Sequence, residues 1–200
     1  MTLTLKQFAA AAGATEAHVS PFLDPLNRGF VKFGITDKKE IAAVISTFSH
    51  ESARFTTFEE GLYYRDATRI ATIFKRLFDI NKDGKITPDE VERAQTYVGN
   101  PSLMSTKLYD GYHGRGPGQI TWRKNYEICG TLCNRPYVDQ PGLLLNPEDG
   151  MMASLAFWKH CDMAQFAADP KATRKAWNGP AMLGLDDTTA LYNNAIKVLG

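Results

Sequence analysis

Two groups of residues in the 200-residue chain have types and spacings that carry chemistry. The first is Ser49-His50-Glu51-Ser52, followed nine residues after Glu51 by Glu60. A paired acid and base of this kind suits glycoside hydrolysis, where one carboxyl protonates the leaving oxygen and the other activates water. Glu51 continues an apolar stripe formed by Ile41, Val44 and Phe48, so its carboxyl is expected in a partly dry place. Such a place raises a carboxyl pKa and keeps its proton available near neutrality. Two glutamates at this spacing also occur as plain surface residues, and Glu59 beside Glu60 leaves the base assignment open.

The second group is Asp79-Ile80-Asn81-Lys82-Asp83-Gly84-Lys85-Ile86-Thr87-Pro88-Asp89-Glu90. It matches the EF-hand calcium loop at every specified position. In that pattern Asp79, Asn81 and Asp83 offer side-chain oxygens and Gly84 permits the sharp turn. Lys85 supplies its carbonyl, Thr87 a direct or water-mediated contact, and Glu90 a bidentate carboxylate. The alternative is a polar turn between two helices. EF-hands usually pair and the chain carries one, so the expected Ca2+ acts as a clamp ordering an insertion over residues 68–98, within a single catalytic domain 1–200.

Elements must position these groups, and helical patterns dominate. Thr4 with Gln7 forms a capping box for a helix over Leu5–Ala12. Thr36 is expected to cap a helix over Asp37–Phe55, with further helices over Thr68–Phe78, Pro88–Val98, Arg123–Gly130, Glu148–Cys161, Pro170–Trp177 and Thr188–Leu199. Asp169 before Pro170 is a cap followed by proline at the first helical position. Glycine-rich Gly111–Gly118 cannot be helical, and Phe58–Tyr64 is the one strand candidate. The expected fold class is mainly α, with a cleft lined by loops.

Composition restricts the function classes. Apolar residues make up 44%, charged residues 22%, and the formal net charge is +1. No basic field argues for nucleic acid or an anionic membrane. No apolar run approaches the roughly 18 residues of a membrane span, so no membrane anchor is expected. The N-terminus lacks a charged region followed by a long apolar one, so a cytoplasmic origin without a signal peptide is expected. Cys129, Cys133 and Cys161 are read as free thiols rather than a disulfide framework. His160 with the cysteines offers no zinc spacing of known type.

Four segments resemble glycoside hydrolase family 19, the plant-type chitinase family with a branch of phage endolysins. They are Ser49–Ser52, Phe58–Tyr64, Tyr112–Tyr126 (with Gly-Arg-Gly-Pro-Gly-Gln-Ile-Thr at its centre) and Trp177-Asn178-Gly179. The resemblance runs in order from about Thr36 to the C-terminus. It implies a lysozyme-like helical domain, with Glu51 as general acid, Glu60 as general base and Thr121 helping to hold the water. It implies that Gln119, Asn125 and Asn178 grip the sugar and that His50 lies at the site. It implies an inverting reaction, with carboxyls roughly 6.5–9.5 Å apart. Gly179-Pro180-Ala181 departs from the family's double glycine, and the calcium loop is not a general family feature.

A short chain without disulfides resembles the endolysin branch. The expectation is a monomeric enzyme that cuts the β-1,4 bonds of peptidoglycan glycan strands. It would be made in a host cytoplasm and reach the wall in the periplasm once a holin opens the membrane. Chitinase activity on N-acetylglucosamine polymers is the alternative within the same chemistry. A non-catalytic, calcium-dependent wall-binding protein is the alternative of another class.

Overall fold

The computed structural model describes all 200 residues. Eleven α-helices follow in chain order. They are α1 (Leu5–Ala12), α2 (Glu16–Phe33), α3 (Lys38–Glu51), α4 (Ala67–Ile73), α5 (Lys75–Phe78), α6 (Pro88–Ala94), α7 (Pro101–Tyr109), α8 (Arg123–Cys133), α9 (Pro147–His160), α10 (Pro170–Asn178) and α11 (Leu185–Leu199). The chain resolves into two compact units: Met1–Glu60 with Gly114–Gly200, and Gly61–His113. The expected insertion over residues 68–98 lies inside the second. No helix is long and apolar enough to cross a membrane.

The larger unit is built on α3. Its residues Ile41 to Phe48 are all buried, so this helix is apolar nearly all round, as a central helix must be. It packs on α11, while α2 packs on α9 and α1 on both α11 and α2. Phe48 meets the edges and faces of Trp158 and Trp177 at centroid separations of 6.1 and 5.8 Å. Beneath them the carboxyl of Glu40 is buried and accepts a hydrogen bond from the Trp158 indole at 3.2 Å. Burial pushes that carboxyl above its ordinary value.

The smaller unit has its own core of Leu62, Ala67, Ile70, Ala71, Phe78, Ala94 and Met104. Helix α4 packs on α6. Tyr64 meets Phe74 edge to face, and Phe78 meets Tyr97 likewise.

Several local expectations are corrected. Asp37, not Thr36, caps α3, accepting from Lys39 and Glu40 N–H. The helix ends at Glu51 rather than Phe55, because Arg54 N–H turns back to Ser49 O at 2.7 Å. The Thr68–Phe78 stretch breaks at Phe74, and Pro88–Val98 stops at Ala94 before a 3-10 turn. The strand candidate is reduced to one bridge, Glu59 with Arg115, because only Phe58 to Glu60 pairs with the glycine loop while Tyr64 O accepts from Gly99 N–H. Helices α2 and α7 were not expected. Pro21 and Pro25 lie inside α2, yet Val19, Phe22, Leu26 and Phe30 form one buried face. The three cysteines are free, with Cys129 buried and its thiol pushed up by that burial.

Candidate active site

Glu51 is the last residue of α3. Its side chain is 17% exposed, and Oε1 accepts from the Arg174 guanidinium. The apolar stripe below it exists, but the carboxylate leaves that stripe against a cation and not in a dry pocket. Arg174 itself is only 3% exposed, and its Nε donates to Leu183 O at 2.5 Å. A buried guanidinium with two defined acceptors is fixed in place, so it fixes the glutamate.

Glu60 follows a chain segment clamped to the glycine loop. Gly116 N–H donates to Phe58 O, Glu60 N–H donates to Gly114 O, and Gly114 N–H donates back to Glu60 Oε2 at 3.1 Å. The loop is stiffened by reciprocal bonds between Arg115 and Ile120 and by Gly118 N–H donating to Ser154 Oγ at 2.9 Å. Gly114 faces two side chains: a Cβ there would sit 2.6 Å from Gln119 Oε1 and 3.3 Å from Thr121 Oγ1. Glu60, Gln119 and Thr121 are thus each neighbours of Gly114.

Glu59 takes a different role. Its Oε1 accepts from Arg115 Nε at 3.3 Å, while Arg115 Nη1 donates to the Tyr126 hydroxyl at 3.0 Å. Burial pushes the Tyr126 hydroxyl up to about 12, outweighing the nearby guanidinium, so it stays protonated. Arg115 thus ties Glu59, α8 and the loop together, while Glu60 is held by the amide of Gly114.

The polar residues expected to grip sugar each engage the backbone through one group. Asn125 Nδ2 donates to Thr121 O at 2.7 Å, and Gln119 Nε2 to Gly116 O at 3.2 Å. Asn178 Oδ1 accepts from Leu183 N–H at 2.8 Å. These bonds orient the amides. His50 Nδ1 lies 2.6 Å from Asp187 Oδ2, which gives that ring an anchor in α11. Neither Arg174 nor Asp187 was expected from the sequence. Their partners lie more than a hundred residues away, and no local spacing announces them.

The calcium-loop residues are arranged by their own amides. Gly84 N–H donates to Asp79 Oδ2, Asp83 N–H to Asn81 Oδ1 and Lys85 N–H to Asp83 Oδ1. Glu90 accepts from Thr87 and Ile80 N–H, which hold its carboxyl below the usual range. The expected bidentate Glu90 is therefore turned toward the loop backbone, and no three acidic, histidine or cysteine side chains converge on one point. Against that, Asp79 Oδ1 is buried with no hydrogen-bond partner. A buried anionic oxygen left so is costly, and a cation would satisfy it. The donor set is all oxygen, which fits a hard cation.

Comparison with solved structures identifies the fold. A bacterial family 19 chitinase superposes with a TM-score of 0.61 at 16% identity, covering 100% of this chain and 96% of that one. The fold is that of the family 19 chitinases. Chitinase C of Streptomyces griseus gives a TM-score of 0.60 at 16% identity, with 100% and 77% of the chains covered. The class IV family 19 chitinase of Zea mays gives 0.51 at 19%, with 98% and 81% covered. In sequence, the basic endochitinase CHB4 of Brassica napus is 29% identical over 143 residues, 71% of this chain and 43% of that protein. Endochitinase EP3 of Arabidopsis thaliana is 28% identical over 160 residues, 78% of this chain and 48% of that protein. The chain spans less than half the length of these relatives. No family model matches the chain.

Proposed function

We propose that the protein is a family 19 glycoside hydrolase that cleaves a β-1,4 glycosidic bond with inversion, using Glu51 as acid and Glu60 as base. The observation that carries this reading is that two glutamates are each fixed through one carboxyl oxygen, Glu51 by Arg174 and Glu60 by the Gly114 amide. Glu51 closes α3 with Oε1 against Arg174, which leaves Oε2 for the leaving-group oxygen. Glu60 is held by the Gly114 amide, Thr121 Oγ1 approaches the same glycine, and we assign the two a shared water. The reaction needs two such carboxyls, one to protonate the leaving oxygen and one to activate water.

The glycan we propose is peptidoglycan, cut between N-acetylmuramic acid and N-acetylglucosamine by an endolysin. Support comes from the resemblance to the endolysin branch and from three thiols that form no cross-links. Chitin is the second reading, favoured by relatives that are named endochitinases. Both contain N-acetylglucosamine, so the chemistry at Glu51 is shared.

Calcium is part of the proposal. Asp79, Asn81, Asp83, the Lys85 carbonyl, Thr87 and Glu90 would hold it, and Asp79 Oδ1 is the oxygen that calls for it. The cation supplies charge neutralisation and order to the smaller unit, with no part in bond cleavage. Release to the wall through a holin and action as a monomer complete the reading.

The test is wall turbidity and chitin hydrolysis by wild type and Glu51→Gln. Clearing of peptidoglycan that Glu51→Gln abolishes supports the reading, and hydrolysis of chitin alone makes it a chitinase. Wild-type rates in Glu51→Gln on both substrates overturn it.

A further inference from the structure

The turn after Glu51 is unusual. Ala53, Arg54 and Phe55 have φ of 48°, 63° and 61°, three consecutive non-glycine residues in the left-handed region. Side chains disfavour that region, and residues normally visit it singly. Something must hold the run.

Part of the hold is local. Ser52 Oγ donates to Phe48 O at 2.6 Å and accepts from Phe55 N–H at 3.0 Å. Phe55 is buried against Phe8 and Phe22. The rest comes from α11. Asp187 accepts a forked pair of bonds from Arg54, Nη1 to Oδ2 at 3.0 Å and Nη2 to Oδ1 at 2.5 Å, and Oδ2 also meets His50 Nδ1 at 2.6 Å. One carboxylate thus grips the residue before Glu51 and the residue three after it. Forked Arg–carboxylate pairs fix geometry as well as charge.

The approach to α11 is shaped for this grip. Gly184 sits at φ +78°, and a Cβ there would lie 2.2 Å from the His50 ring. The preceding Leu183 accepts from Arg174 through its carbonyl and donates to Asn178 through its amide. Segment 183–187 therefore touches His50, Arg54 and the arginine that holds Glu51 itself.

We propose that Asp187 is a positioning residue for the reaction: by clasping His50 and Arg54 on either side of Glu51, it fixes the acid carboxylate at the end of α3. Asp187 touches no reacting atom. Without its charge the left-handed run relaxes and Glu51 loses its aim. This rests on the assignment of Glu51 as the acid. Misplacing a catalytic group by about 1 Å costs on the order of 10²-fold in rate.

The experiment measures kcat, KM and melting temperature for the full chain and for Asp187→Asn, Asp187→Glu, Arg54→Gln and Glu51→Gln, all well below their midpoints and with calcium present. Asp187→Asn is expected to lose about 10- to 100-fold in kcat with KM unchanged. Asp187→Glu, which keeps the charge, recovers most of that loss. Combining Asp187→Asn with Arg54→Gln costs no more than the worse single change, because both break one unit. Should Asp187→Asn fail to fold, the same kcat loss in Arg54→Gln carries the test. A wild-type kcat in the folded Asp187→Asn or Arg54→Gln proteins, with only a lowered melting temperature, overturns the proposal. Full activity in Glu51→Gln overturns the acid assignment instead, so the two failures are distinct.

Discussion

The two compact units are ordered by different means. The larger one surrounds α3 with aromatic side chains and fixes its special geometry by buried or forked ion pairs, Arg174 with Glu51 and Arg54 with Asp187. The smaller one buries seven apolar residues and devotes a twelve-residue loop to carboxylates whose partners are mostly its own backbone amides. A domain that small gains little from burial alone. The difference teaches that the larger unit carries its order in its packing, whereas in the function proposed above the smaller one receives part of its order from a cation.

The largest break in that comparison is chemical. Glu51→Gln should reduce hydrolysis by about 10²- to 10⁴-fold, the usual worth of a positioned proton donor, while circular dichroism stays as in wild type. Glycan release from labelled wall checks it.

Next come the cores. Phe48→Ala removes an aromatic buried against two tryptophans and should cost about 3–5 kcal/mol, equally with and without calcium. Ile70→Ala in the smaller unit should cost about 2–5 kcal/mol, and chelator should deepen its effect. Chemical denaturation in calcium and in EDTA compares them. Equal calcium dependence for both would break the distinction between the units.

Removing calcium comes third. With free calcium at about 100 times its Kd, ligation stabilises by about 2.7 kcal/mol. EDTA should lower the melting of the smaller unit by several degrees, Glu90→Ala should mimic it, and hydrogen exchange should localise the change to Gly61–His113. An unchanged melting curve would remove calcium from the account.

The smallest effect concerns acid. The side-chain bonds from Arg54, aided by those from His50, hold the Asp187 carboxyl at about 2, below its ordinary 3.8. A depressed pKa contributes stability that is fully present above the ordinary value and lost as pH falls toward about 2. Asp187→Asn should therefore flatten the stability profile between about pH 4 and pH 2. The half-exposed position of the carboxylate keeps the change modest.

The sequence made some of this legible and hid the rest for physical reasons. Helix α3, the capping box at Thr4, the Asp169–Pro170 helix start and the non-helical glycine loop all follow from local chemistry, and each is present. The mainly α fold followed too. Helix α2 was hidden because a proline inside a helix is normally a break, and only its packed face against α9 outweighs that. Glu60, Gln119 and Thr121 were expected through the resemblance, because each lies in one of its contiguous segments, Phe58–Tyr64 or Tyr112–Tyr126. Arg174 and Asp187 were not, since a tertiary ion pair leaves no periodic trace.

The central claim is inverting cleavage by Glu51 and Glu60, and the most direct measurement is proton NMR of the first reducing ends released from a β-1,4-linked N-acetylglucosamine-containing glycan. Inversion at a β-linked carbon predicts the α-anomer first, with the β-anomer growing only as mutarotation proceeds. Initial release of the β-anomer would mean retention, and would contradict the assignment of Glu60 as a base acting through water.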